Sequence, residues 1–165
     1  MRRLSNGLMV WSALAVALTT AIGAERPPTR APAFALPARQ GAVALDSLRG
    51  RVVLIDFWAS WCDPCRQSFP WMDSLRARLG PRGFEVVAID LDKDRSLAEE
   101  FLDRHPVRFP VGFDPDGRVA EAYHVSAMPS SFVVGPDGEI LMTHAGFERR
   151  KTAAVETTIV QALPR

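Results

Sequence analysis

Two runs in this chain are apolar and β-branched almost throughout, residues 52–57 (VVLIDF) and residues 84–90 (FEVVAID), as expected of strands buried on both faces of a parallel sheet. Between them the pattern changes to helical spacing. Phe69, Met72, Leu75 and Leu79 recur at intervals of three and four, which predicts a helix from Asp63 to Leu79, stopped by Gly80-Pro81. A second helix is predicted over 96–105, with Ser96 as its cap and Pro106 ending it, followed by a short strand over 109–113. Asp114-Pro115-Asp116-Gly117 then turns the chain into a short helix ending near Tyr123. Residues 131–134 and 140–144 flank Gly135-Pro136-Asp137-Gly138 and read as an antiparallel hairpin. The last helix, over 148–163, is expected to bury Val155, Ile159, Val160 and Leu163. Upstream, 33–36 and 43–45 read as short strands around a turn. Strands alternating with helices, then a hairpin and a terminal helix, predict an α/β fold: a mostly parallel central sheet with one antiparallel edge and helices on both faces. Working residues belong at the carboxyl ends of its parallel strands.

The amino terminus departs from this pattern. Arg2 and Arg3 precede an apolar run over 8–18, and Ala21-Ile22-Gly23-Ala24 offers small residues for cleavage, so residues 1–24 read as a secretory signal. The alternative is an uncleaved N-terminal membrane anchor, because the run over 8–24 approaches the ~20 apolar residues of a spanning helix. Residues 25–30, rich in proline and charge, read as a flexible lead, and 31–165 as one domain. Hydrophobic residues at 47% and charged residues at 24% are those of an ordinary globular protein. Removing 1–24 takes two of the 20 basic residues and none of the 19 acidic ones, which leaves a near-neutral chain with no sign of a nucleic-acid surface.

Export changes how the two cysteines of the chain, Cys62 and Cys65, are read. Outside the cytoplasm disulfides persist, so a dithiol that works in reduced form needs a source of electrons. Three readings are open. A disulfide that only stabilises gains little, because the loop between Cys62 and Cys65 is so short. A metal site needs about four ligands, and His105, His124 and His144, which could supplement two thiolates, are scattered. A redox couple has a physical reason at each position. The partial positive charge at a helix amino terminus stabilises a thiolate on Cys62, making it the attacking nucleophile. Cys65, one turn further in, is placed to resolve the mixed disulfide. Pro64 in the first turn gives up an N–H that had no intrahelical partner. Asp63 either disfavours the Cys62 thiolate and tilts the couple toward reduction, or is simply a favourable anion in a first helical turn.

The stretch FWASWCDPC (57–65) resembles the active site of the thioredoxin superfamily. Separated features agree with the resemblance. Asp56 stands six residues before Cys62, where thioredoxins carry a buried acid that exchanges protons with the resolving cysteine. Pro70 matches the proline that kinks the active-site helix, Met128-Pro129 matches the family's cis-proline, and Gly146 a glycine near the substrate groove. A narrower resemblance is to the exported TlpA/ResA-like thiol-disulfide reductases. It rests on Ala31-Pro32-Ala33-Phe34-Ala35-Leu36-Pro37, the VVLIDFWASWC strand, Asp114 and Gly117, Tyr123-x-Val125, Met128-Pro129 and Phe132, and on a helix-strand insert over about 96–113. This implies a thioredoxin fold with an N-terminal strand extension.

The resemblance implies catalytic roles for Cys62, Cys65 and Asp56, and a substrate-binding surface of Trp61, Asp63, Pro64, Met128, Pro129 and Gly146. Trp58 is expected in the core. The implied function is that of an enzyme, an exported thiol-disulfide oxidoreductase, periplasmic or otherwise extracytoplasmic, acting mainly as a protein disulfide reductase without organic cofactor or metal. Its partners would be disulfide-bearing exported proteins, such as apocytochrome c or copper-site assembly factors, and a membrane thiol-disulfide electron donor. The rivals are an oxidase or isomerase of secreted proteins on the same fold, and a Cu(I) carrier using the reduced pair with a histidine. The chain departs from the family in carrying Asp56 where many members have asparagine, Gln67 and Ser68 where members often have acids, and Ala88 where a lysine would pair with Asp56.

Overall fold

A computed structural model describes residues 29–164. The expected signal over 1–24 and the first four residues of the expected lead lie outside the described residues. In chain order the strands are β1 (Ala35–Pro37), β2 (Ala42–Ala44), β3 (Val52–Trp58), β4 (Phe84–Asp90), β5 (Val111–Phe113), β6 (Ser130–Val134) and β7 (Ile140–Ala145). The helices are α1 (Asp63–Leu79), α2 (Arg95–Arg104), α3 (Arg118–Ala122) and α4 (Thr152–Ala162).

β1 and β2 form a small antiparallel sheet, and the other strands form one sheet in the order β5-β4-β3-β6-β7. β3, β4 and β5 are parallel neighbours, while β6 runs antiparallel to both β3 and β7. The expected mostly parallel sheet is present, and its antiparallel part is the β6/β7 hairpin. Every residue of β3, β4 and β6 is buried, the apolar majority together with the polar Asp56, Glu85, Asp90, Ser130 and Ser131.

The pleat of β3 divides the interior in two. Val52, Leu54 and Trp58 face a core made with α1, α2 and α4, where Phe69, Met72, Leu75, Phe101 and Ile159 are buried. Val53, Ile55 and Phe57 face the other core, covered by the β1/β2 extension and by Tyr123 beyond α3. The first core is aromatic at its centre: Phe69 meets Trp58 at 4.8 Å and Phe101 at 5.4 Å between ring centroids, both edge-on.

Several boundaries differ from the expectation for local reasons. Asp94, rather than Ser96, caps α2: its carboxylate accepts the Ser96 N–H at 2.9 Å, so the helix starts at Arg95. Asp114 acts similarly at α3, accepting the N–H groups of Arg118, Val119 and Ala120. α4 begins at Thr152, after a 3-10 turn over Arg149–Lys151. Val160 is exposed, contrary to expectation, because it follows buried Ile159 and so points about 100° around the helix from it. At the other end of the chain, Thr29 is already tied down, its carbonyl accepting the Ile140 N–H at 2.9 Å, and Arg30 bridges to Glu139.

Candidate active site

β3 ends at Trp58, and a tight turn returns the chain into α1, with the Cys62 N–H donating to the Ala59 carbonyl at 3.1 Å. Cys62 is the N-cap of α1, Asp63 and Pro64 open the helix, and Cys65 lies in its first turn. The Cys65 N–H donates to Cys62 Sγ at 3.3 Å, so one of the amide groups left unpaired by a helix start points at the sulfur that would carry charge. The two cysteines are joined as a disulfide with their Cα atoms 5.3 Å apart. Cys62 retains 5% exposure and Cys65 none, while the adjacent Trp61 is 67% exposed. Access from outside is therefore to Cys62, past the Trp61 ring. Pro70 lies inside α1 and supplies no N–H for the Arg66 carbonyl one turn back.

Asp56 lies between Leu54 and Trp58 on the strand, and the period of two puts its side chain on the same face as theirs, toward the core that holds both cysteines. Its neighbours in register are Ala88 on β4 and Ser131 on β6. The Ser131 hydroxyl donates to Asp56 Oδ1 at 2.6 Å, and Oδ2 is buried with no hydrogen-bond donor among the described residues. Loss of hydration dominates the single hydrogen bond, and the Asp56 pKa is pushed up to about 7. A carboxyl group poised there can both take up and release a proton near neutral pH.

The Met128-Pro129 bond is cis, Pro129 is buried, and Met128 packs against the cysteine-containing core. Gly146, in the left-handed region at φ 76°, donates its N–H to the Pro129 carbonyl at 2.7 Å, so these two sequence-predicted positions are brought together. Phe147 follows and meets the ring of Trp71 from α1 at 6.0 Å. Asp63 is solvent-exposed and ion-paired to Arg66 at 3.2 Å, which offsets its charge beside Cys62. Pro64 is exposed beside it.

Sequence reasoning missed three polar groups at this end of the sheet. Ser131 is one, recognisable only once β6 is placed in register beside β3. Asp90 and Asp92 are the others, at the carboxyl end of β4, where an Asp-x-Asp after a buried parallel strand was the available signal. Of the three histidines, His105 ends α2 against the Phe101 ring and His144 lies on β7, and no group of three or more metal-ligating side chains occurs among the described residues. Two surface grooves, of about 510 and 420 Å³, are lined by neither cysteine.

The AhpC/TSA family profile matches residues 27–142. The chain is 39% identical over 101 residues to the thiol-disulfide oxidoreductase ResA of Oceanobacillus iheyensis, an alignment covering 61% of this chain and 53% of that protein. With the ResA of Bacillus subtilis it shares 33% identity over 117 residues, 70% of this chain and 65% of the relative. The chain thus spans between half and two thirds of the length of these two relatives. A crystal structure from Chlorobium tepidum, with the provisional designation thiol:disulfide interchange protein DsbE, superposes with a TM-score of 0.81 at 45% identity, covering 84% of this chain and 99% of that one. With the fold, the placement of the cysteine pair and these likenesses in agreement, the chain belongs to the AhpC/TSA family.

Proposed function

We propose that this protein is an exported thiol-disulfide oxidoreductase that works mainly as a protein disulfide reductase. The observation that carries the reading is the Cys62/Cys65 pair at the amino terminus of α1, above a buried Asp56 whose pKa lies near neutrality. Cys62 thiolate attacks a disulfide of the partner, forming a mixed disulfide and releasing one partner sulfur as a thiolate, which takes a proton from solvent. Asp56 accepts the Cys65 proton, and the Cys65 thiolate attacks Cys62 Sγ. The mixed disulfide breaks, the second partner sulfur leaves as thiolate, and Cys62–Cys65 closes. Two electrons have moved to the partner, and its second thiolate takes a proton from Asp56 or solvent.

The remaining residues serve recognition. Trp61, Asp63 and Pro64 form the exposed rim around Cys62, while Met128, Pro129 and Gly146 shape the groove opposite, with the Met128 backbone pairing to the partner chain. The sequence of residues 1–24 supports export to the periplasm, with a membrane tether if it is not cleaved, followed by the lead over 25–30 and the folded domain over 31–165. Among the described residues no helix is long and apolar enough to cross a membrane. The substrates are disulfide-bearing exported proteins, with apocytochrome c or a copper-site assembly factor as the class to test first. A membrane thiol-disulfide protein regenerates the dithiol.

The test is the reduction potential of the Cys62/Cys65 couple, measured by equilibration with defined dithiol buffers. A value near thioredoxin's, about −270 mV, is expected of a reductase, whereas a value near about −120 mV would reverse the direction of electron flow. Insulin reduction should be abolished in Cys62→Ser, and the Cys65→Ser variant should trap the mixed disulfide.

A further inference from the structure

The acidic end of β4 lies against the turn that launches the nucleophile. Trp58 and Asp90 are register partners, and the Leu91 N–H donates to the Trp58 carbonyl at 2.9 Å, so the two strand ends leave the sheet side by side. Two residues on, Asp92 turns both carboxylate oxygens to a single residue: Oδ2 accepts the Ser60 N–H at 2.7 Å and Oδ1 accepts the Ser60 hydroxyl at 3.1 Å. Ser60 is two residues before Cys62, inside the turn closed by the bond between the Cys62 N–H and the Ala59 carbonyl. Asp92 is 3% exposed and Asp90 fully buried. Burial, and then the neighbouring Asp92, push the Asp90 pKa up to about 8, so Asp90 holds its proton at neutral pH. The nearby charged groups are engaged elsewhere. Lys93 Nζ donates to the Pro115 carbonyl, the Arg95 guanidinium lies over the Phe113 ring, and the Asp114 carboxylate caps α3.

We propose that Asp92 is a positioning residue for the nucleophile: by clamping Ser60 it fixes the turn over 59–62, and so holds Cys62 Sγ at the first free N–H groups of α1. The inference rests on the redox reading of Cys62. Its physical content is a difference in sign. A carboxylate close to Cys62 acts as a like charge and raises the thiol pKa, so loss of the charge alone makes Cys62 more acidic. Loss of the clamp lets the sulfur leave the helix terminus that stabilises its thiolate, and makes Cys62 less acidic.

The measurement is the pH profile of Cys62 alkylation by iodoacetamide in the reduced full-length protein, with modification of Cys62 read by mass spectrometry. Asp92→Asn keeps an acceptor oxygen for the Ser60 N–H and is expected to leave the profile in place or move it to lower pH. Asp92→Ala removes both acceptors and is expected to move it up by about one unit, making alkylation about tenfold slower below the pKa. Ser60→Ala, which removes one of the two hydrogen bonds, is expected to slow alkylation about threefold alone and to add nothing to Asp92→Ala. An Asp92→Ala profile at or below that of the wild type overturns the proposal, as does an equal upward shift in Asp92→Asn. If Asp92→Ala does not fold, an unshifted Ser60→Ala profile overturns it as well. A wild-type Cys62 that titrates like an ordinary free thiol would instead overturn the redox reading on which the proposal stands.

Discussion

The Ser131 hydroxyl, one strand away on β6, donates to Asp56 Oδ1 at 2.6 Å, the one side-chain hydrogen bond to this carboxyl among the described residues. Burial raises the Asp56 pKa and this bond lowers it, so the position of this carboxyl on the pH scale is a balance between burial and a neighbour in register. Removing the hydroxyl in Ser131→Ala should move the Asp56 pKa above its value of about 7. The pH midpoint of the resolving step, followed as decay of a preformed mixed disulfide, is expected to rise with it. An unchanged midpoint would show that Asp56 is not the group titrating in that step.

The same burial has a cost in stability. Asp56 has an ordinary pKa of 3.8 when unfolded and about 7 when folded, so between those values the native state holds a proton that the unfolded state has lost. Stability from this group is present below pH 4 and declines as pH rises to 7, by about 4 kcal/mol for a shift of roughly three units. Asp90 works in the same direction up to about pH 8. Urea unfolding of oxidised Asp56→Asn should therefore show a shallower loss of stability between pH 4 and 7 than the wild type, and parallel curves would contradict the assignment.

Asp63 is expected to matter less than its place beside Cys62 suggests. It is exposed and paired to Arg66, and an exposed pair contributes at most about 1 kcal/mol. Asp63→Asn should raise the reduction potential of the couple by less than about 20 mV, since 30 mV corresponds to about 1.4 kcal/mol. The effect should shrink further in high salt. A rise of 60 mV or more, on the order of a hundredfold in thiol-disulfide equilibrium, would show that Asp63 tunes Cys62 directly.

Gly146 joins β7 to the Pro129 loop. Its φ of 76° strains any L side chain, although a Cβ there would meet no atom within 4 Å. Gly146→Ala should cost about 1–2 kcal/mol in thermal or urea unfolding, from backbone conformation alone. Because the Gly146 N–H holds the Pro129 carbonyl, the variant should also slow reduction of insulin more than reduction of a small disulfide. Equal slowing of both would remove this loop from partner recognition.

Much of this protein was legible along the chain. The strand Val52–Trp58, the helix Asp63–Leu79 and the placement of Cys62 and Cys65 at its start follow from apolar runs, helical spacing and turn residues, all of them local signals. What local signals could not supply were contacts between residues distant in sequence. That Ser131 faces Asp56 depends on β6 entering the sheet antiparallel at one register, a choice made by packing of the whole sheet. That Asp92 holds Ser60 depends on where two parallel strands end beside each other, 32 residues apart in the chain. The exposure of Val160 was decided by which side of α4 meets the sheet. The residue types that can do redox chemistry are written in the sequence, because a helix start and a pair of thiols are local. The buried carboxyls and cross-strand hydrogen bonds around them are not, because burial and hydrogen bonding across strands exist only after the chain has folded.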